Sequence, residues 1–217
     1  MELVALPNLA IAGIDEAGRG ALIGPLVIAG IKASENISPV LVNLGVKDSK
    51  LLTSRQRLFL YPVILRLTEA ISVKLIQPRL IDSFVLKGTK YKKLNYLEAI
   101  TMARIISDLE PKRAYVDAAD SNTERFAQQI QDALAIQTDV RSMHRADRVI
   151  PVVSAASIIA KVIRDTAIEG LHQRYGEFGS GYPSDSRTIA LARRLAAKRS
   201  RTDIVRRSWK TWRRCLE

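Results

Sequence analysis

The sequence predicts an α/β domain that carries a mostly helical C-terminal part. Three observations predict it. Short apolar runs bounded by Gly or Pro alternate with longer stretches of helical spacing. The length of 217 residues suits one substantial domain. An apolar content of 47% is enough for a real core.

The elements follow in order. Leu9–Ile14 and Pro25–Ile31 are apolar runs separated by a Gly-rich turn, which predicts an antiparallel strand pair. Thr53 to Ala70 has helical spacing with Thr53 at its cap, and Pro62 is expected to kink or split it. Ala70–Gln77 reads as a strand closed by Pro78. Tyr91 to Leu109 reads as an amphipathic helix stopped by Glu110-Pro111. Arg113–Asp117 is a short strand ending in acids. Ser121-Asn122-Thr123-Glu124 has capping-box form, and Phe126, Ile130 and Leu134 follow at helical spacing. Gln137–Met143 is a further strand, and Ser154 to Tyr175 a long helix with Gly176 as its stop. The turn-rich stretch from Gly179 to Asp185 leads to a final basic helix. Neither an internal repeat nor a low-complexity segment is present.

Charge narrows the function classes. Lys and Arg number 34 against 22 Asp and Glu, a formal +12, which favours a polyanionic partner such as nucleic acid. From Arg187 to Glu217 there are 11 cations and two acids, so this tail holds a net +9 of that excess. The run from Arg206 to Arg214 interleaves Trp209 and Trp212 with cations, and phosphate contact is expected of it. The single cysteine, Cys215, excludes a disulfide framework and a zinc site built on Cys pairs, in keeping with a reducing cytosol. Met1 to Ile14 is apolar without a basic leader and reads as a strand, so a soluble cytoplasmic protein is expected.

The chemistry lies in the acids. Asp15 and Glu16 sit where an apolar strand meets Gly18-Arg19-Gly20. Adjacent carboxylates repel, and burial raises their cost. Their side chains point to opposite faces of a strand, so convergence requires a twist or bend, which the glycines permit. Asp117 ends a second strand, and Asp147 lies between a third strand and the long helix. Ligand sites in α/β domains gather at strand ends. If these strands are neighbours, Asp15, Glu16, Asp117 and Asp147 form one cluster. Four such acids stay ionised together only with cations, and hard oxygen ligands suit Mg²⁺ or Mn²⁺. Two such ions serve phosphodiester hydrolysis. His172 reads as a surface or packing residue, and His144 as a phosphate contact or structural hydrogen-bond partner. A P-loop is absent.

Six blocks then resemble the ribonuclease HII family, in its order and across nearly the whole chain. They are Ile11–Gly20, Val46–Leu51, Tyr115–Asp120, His144–Asp147, Pro151–Asp165 and Gly179–Asp185. The uninterrupted length and the segment from Arg206 to Thr211 resemble archaeal members. The resemblance implies a ribonuclease H-like fold, a central five-stranded mixed sheet flanked by helices, with a helical C-terminal region. It implies a catalytic domain over residues 1–178 and a basic helical region over 179–217 that packs on it and contacts substrate. Catalytic and metal-holding roles fall on Asp15, Glu16, Asp117 and Asp147, with two Mg²⁺ or Mn²⁺ ions. Gly18, Arg19 and Gly20 are implied to meet the ribonucleotide 2′-hydroxyl, largely through backbone groups. Tyr182 is implied to stack at the junction of ribonucleotide and deoxyribonucleotide. Lys50, Ser154 and Lys161 match positions associated with substrate phosphates, although Ser154 alone reads as a helix N-cap. Asp120 is read either as a support behind the metal-holding acids or as structural.

The implied activity is endonucleolytic cleavage of RNA in RNA–DNA hybrids and 5′ of ribonucleotides embedded in duplex DNA, leaving 3′-hydroxyl and 5′-phosphate ends. A monomer is implied, and a sliding-clamp partner is left open, although the basic C-terminus shows no clear docking motif for one. The chain departs from the family at Ala21 and Ser186, where Pro is common, and in a short stretch between Arg187 and Val205. The rival classes are a non-catalytic nucleic-acid-binding protein, indifferent to divalent metal, and a transposase-like nuclease, which needs additional DNA-binding domains. Type 3 ribonucleases H are closer, but usually carry an extra N-terminal domain.

Overall fold

A computed structural model describes residues 9–47, 49–89, 93–198 and 202–217. Asp48, Tyr91 and the apolar residues 1–8, each part of an expected motif or element, lie outside the described residues. The elements run β1 (Ala10–Ala17), β2 (Leu26–Ser34), α1 (Ser38–Asn43), α2 (Ser54–Leu67), β3 (Ala70–Ile76), α3 (Pro78–Lys87), α4 (Leu94–Leu109) and β4 (Arg113–Asp117). There follow α5 (Thr123–Asp132), β5 (Asp139–Met143), α6 (Pro151–Tyr175), α7 (Ser186–Ala197) and α8 (Lys210–Arg214).

The five strands form one mixed sheet in the order β3-β2-β1-β4-β5. β1 and β2 pair antiparallel, as do β2 and β3, whereas β4 lies parallel to both β1 and β5. Central β1 is buried on both faces, which explains its nearly unbroken apolar run. Its odd residues Ile11 and Ala17 join a core with α1, α2 and α6, while Ala12 and Ile14 join a second core with α4 and α5. Gly13 is required where α6 crosses β1, because a Cβ there would lie 2.2 Å from the Val152 carbonyl carbon. A third core joins Leu22, Ile23 and Ile168 to α7, Ile204, Val205 and Trp212, and seats the C-terminal region on the sheet domain.

Several boundaries differ from the sequence expectations. Pro62 does not split α2; it is exposed, so its missing backbone donor falls on the solvent side. The Thr53 cap holds and forms a full capping box with Gln56. Pro78 opens a helix as well as closing a strand, because proline is favoured in the first helical turn. The cap of α5 is Asn122, whose side chain accepts from the Arg125 N–H, so the expected capping-box register is one residue early. The long helix begins at Pro151 with Ile150 as its cap, which puts Ser154 inside it. The expected single basic C-terminal helix is two, α7 and α8, joined by a segment whose Val205 bridges Ile23. Among the described residues no helix is long and apolar enough to cross a membrane.

Candidate active site

The parallel pairing of β1 and β4 sets Ile14 opposite Val116, so the next residues along the two strands are Asp15 and Asp117. Both follow the odd-residue face that packs toward α6. Asp117 accepts a 2.8 Å hydrogen bond from the Ala146 N–H, which ties it to the turn bearing Asp147. That turn places Arg145 at φ +57°, a left-handed conformation unfavourable for a residue with a Cβ. Its geometry is held further by Ser154, whose hydroxyl donates 2.6 Å to the Asp147 carbonyl. Asp15, Asp117 and Asp147 therefore share one face at the ends of β1, β4 and β5. Glu16 points to the opposite face, toward Glu98 on α4, because successive strand residues alternate. It remains close enough to Asp117 to feel its charge.

The electrostatics are those of crowded acids. Burial pushes the Asp15 carboxyl up to about 8, with Asp117 and Asp147 adding to the rise; bonds from Ser157 and from the Glu16 N–H oppose it. Burial, Asp15 and Glu98 raise Glu16 well above the usual carboxylate range. Asp117 is raised by burial and by Asp147, while the Ala146 N–H and Lys50 pull it back. Glu16 Oε2 is removed from solvent and has no hydrogen-bond partner. Among the described residues, no three His, Cys, Asp or Glu side chains are already drawn together as a metal cage. The donor set fits a hard divalent cation: it is all carboxylate, its members raise one another's proton affinity, and Glu16 leaves a buried oxygen uncompensated.

The other expected site residues divide. Lys50 is exposed and reaches within 3.7 Å of Asp147 Oδ2, at the acids' rim. Gly18 has φ +89°, and a Cβ on it would lie 2.3 Å from Arg164 Nε, whereas nothing lies within 4 Å of a Cβ on Gly20. The Arg19 side chain turns inward: Nε bonds both oxygens of Glu98 at 3.0 and 3.1 Å, and Nη2 reaches Asn95 and the Ala119 carbonyl. The Arg19 side chain still stays 39% exposed, so a ligand can meet the backbone of this turn and the outer edge of that side chain. Tyr182 is half-buried, with the Arg164 guanidinium 4.5 Å from its ring centroid. Lys161 pairs with Asp165. Asp120 is structural, accepting from the Asn122 N–H, Asn95 and Arg125.

The basic tail needs a correction. Arg206 is fully buried and Trp212 is 6% exposed, so neither is a surface phosphate contact; Arg207, Lys210, Arg213 and Arg214 are exposed. His172 packs edge-on against Phe178 and bonds the Gly179 carbonyl, as a packing residue should. Sequence reasoning passed over Glu98 and the inward role of Arg164, and read Arg206 as a phosphate contact where it is buried. Glu98 had a signal, since a lone acid on the apolar stripe with Leu97, Met102 and Ile105 demands a buried partner. The two arginines had none.

The family profile described as Ribonuclease HII matches residues 12–212. The chain belongs to the ribonuclease HII family. It is an endoribonuclease of the ribonuclease H class. The ribonuclease HII of Thermococcus kodakarensis is 43% identical over 210 residues, covering 95% of this chain and 90% of that one. That of Thermofilum pendens is 40% identical, covering 94% and 98%. Among solved structures, ribonuclease H2 from Pyrococcus horikoshii superposes with a TM-score of 0.86 at 42% identity, covering 95% of this chain and 97% of that one. The ribonuclease HII in a PCNA:RNase HII complex from Archaeoglobus fulgidus gives 0.84 at 39%, covering 93% and 96%. A ribonuclease HIII solved in complex with Mn²⁺ shares the fold, with a TM-score of 0.78 at 22% identity. The five-stranded mixed sheet flanked by helices is thus the ribonuclease H fold, as the sequence predicted.

Proposed function

We propose that this ribonuclease HII nicks duplex DNA on the 5′ side of an embedded ribonucleotide, in addition to cutting the RNA strand of hybrids, with Asp15, Glu16, Asp117 and Asp147 as its catalytic acids. The observation that carries this reading is the meeting of Asp15, Asp117 and Asp147 on one sheet face beside the Gly18–Gly20 turn, with Glu16 in electrostatic reach.

Two divalent ions, Mg²⁺ or Mn²⁺, held by these four carboxylates would supply Lewis-acid activation of water and neutralise charge on the departing oxygen. The reaction is a hydrolysis in which water adds to phosphorus and the P–O3′ bond breaks. The products are a 5′-phosphate and a 3′-hydroxyl. Asp117 and Ser154 fix the Asp147 turn through the Ala146 N–H and the Asp147 carbonyl, which keeps these acids in register without a ligand. Lys50 stands at the rim of the acids, where a scissile phosphate would need a counter-charge.

Discrimination belongs to the backbone of Gly18, Arg19 and Gly20. Glu98 occupies the Arg19 side chain, and open space beside Gly20 lets a sugar approach the main chain. The 2′-hydroxyl is the group by which a protein separates RNA from DNA. Tyr182, backed by Arg164, is the aromatic surface for the adjoining deoxyribose. The 179–217 region adds exposed cations along the duplex.

The test is cleavage of a labelled DNA duplex with one ribonucleotide, beside an all-DNA duplex and a long hybrid, in Mg²⁺, Mn²⁺ or EDTA. The expected result is a metal-dependent nick immediately 5′ of the ribonucleotide, abolished by Asp117→Asn. Cleavage of the long hybrid alone would refute the single-ribonucleotide reading, and full activity of Asp117→Asn would refute the site.

A further inference from the structure

Arg206 lies far along the chain from the catalytic acids, in the segment between α7 and α8, yet it is fully buried. Its guanidinium is spent on the backbone of the Gly-rich turn. Nη1 donates 2.7 Å to the Arg19 carbonyl, while Nε and Nη2 donate 3.3 and 3.2 Å to the Gly24 carbonyl. One side chain thus bridges both ends of the 19–24 segment. The same segment is laced to its surroundings by backbone bonds, from the Arg206 N–H to the Leu22 carbonyl and from the Gly24 N–H to the Ile204 carbonyl. The ring of Trp209 lies 5.1 Å from the guanidinium.

The bracing meets a second arginine from the other side. Arg164, 1% exposed on α6, donates 3.0 Å to the Ser180 carbonyl and covers Tyr182. Its Nε sits where a Gly18 Cβ would be. The Gly181 carbonyl accepts from the Leu22 and Ile23 N–H groups, so the Tyr182 loop and the Gly-rich turn share one backbone scaffold. Burying two neighbouring guanidiniums is unfavourable, and burial together with Arg164 pulls Arg206 down to about 9. A cost of that kind in a surface-rich arginine tail marks a side chain retained for geometry. Only a planar fork with several donors reaches two separate carbonyls at once; a lysine ammonium is a point donor.

We propose that Arg206 is a positioning residue for ribonucleotide discrimination, holding the Gly18–Gly20 turn through the Arg19 and Gly24 carbonyls in the shape that meets the 2′-hydroxyl. The inference rests on that turn reading the 2′-hydroxyl, and the C-terminal region then shapes specificity from beneath the turn as well as gripping the duplex.

The experiment compares wild type with Arg206→Lys on two DNA duplexes that differ at one position, a ribonucleotide or its 2′-deoxy-2′-fluoro counterpart. Single-turnover and steady-state rates are measured in Mg²⁺, with thermal melting alongside. The expected result for Arg206→Lys is a tenfold or greater fall in kcat on the ribonucleotide with KM within threefold of wild type. The preference for ribonucleotide over the fluoro analogue shrinks by a similar factor in folded protein. A purely structural role lowers both substrates together. A preference within threefold of wild type therefore overturns the proposal. If Arg206→Lys does not fold, Trp209→Leu, which removes the ring against the guanidinium and leaves its donors, must shrink the preference; an unchanged preference again overturns it. A wild-type enzyme with no preference for the ribonucleotide would instead refute the turn as reader, a distinct failure.

Discussion

Replacing Asp15 with Asn should stabilise the metal-free protein while abolishing its activity. Asp15 is 4% exposed, and its carboxyl is pushed up to about 8 by burial and by Asp117. In the unfolded chain the same group titrates near ~3.9. Between these values the folded state holds a proton that the unfolded state has lost. Stability therefore falls as pH rises from about 4 to about 8, at up to ~1.4 kcal/mol per pH unit. Three units, taken to pH 7, set a ceiling of about 4 kcal/mol. Burial is the largest cause of that rise, and a buried Asn amide bears part of the same desolvation cost, so the substitution recovers about half, on the order of 2 kcal/mol, or roughly 4–8 °C in a domain of this size. Asn retains an oxygen to accept the 2.7 Å bond from the Glu16 N–H. The assay is thermal melting in EDTA from pH 5 to 8.5, repeated with Mn²⁺. Asp15→Asn should melt above wild type in EDTA, by a margin that widens with pH. With saturating Mn²⁺ the order should narrow or reverse, since only the wild type gains the full linkage of about 2.7 kcal/mol at a hundredfold excess over Kd. A variant that melts at or below wild type in EDTA at pH 8 would refute the account of crowded acids.

Two further outcomes follow from the turn. Glu98→Ala strips the buried partner from Arg19, whose 39% exposed side chain can turn to solvent; the lost charged hydrogen bonds should cost about 1–3 kcal/mol, seen as a fall of roughly 2–12 °C in melting temperature. Gly18→Ala places a Cβ 2.3 Å from Nε of the buried Arg164 and 2.9 Å from the Pro25 carbonyl oxygen, at a φ of +89°. It should lower single-ribonucleotide nicking at least tenfold and cost about 2–5 kcal/mol of stability, the left-handed conformation and the overpacking together, checked by nick assay and denaturant titration.

The candidate acids could be picked out because they follow apolar runs: Asp15 comes after Ile11–Ile14, although β1 continues through it to Ala17, and Asp117 ends β4 after Ala114–Val116. The fold was legible for the same reason, in that β4 matched its expected bounds and the Thr53 cap formed as expected. What the chain hides is tertiary. Ser154 looks like a helix cap, yet α6 starts three residues earlier and its hydroxyl is used on the Asp147 carbonyl. The cluster from Arg206 to Arg214 reads as uniformly solvated charge, and only packing reveals that Arg206 faces inward while Arg207 faces out. Ser186 has a local reason: it stands at the first position of α7, after the Asp185 cap, where Pro is also well accommodated. Ala21 is fully buried, and nothing in its surroundings explains the departure from Pro.

The most direct test of the central claim is an anomalous difference map from crystals grown with Mn²⁺ and a non-cleavable ribonucleotide-containing duplex. Asp15, Glu16, Asp117 and Asp147 should surround the Mn²⁺ peaks, with the scissile phosphate beside them. Peaks elsewhere, or none at these carboxylates under conditions that support cleavage, would contradict the assignment of the four acids as the metal-holding catalytic site.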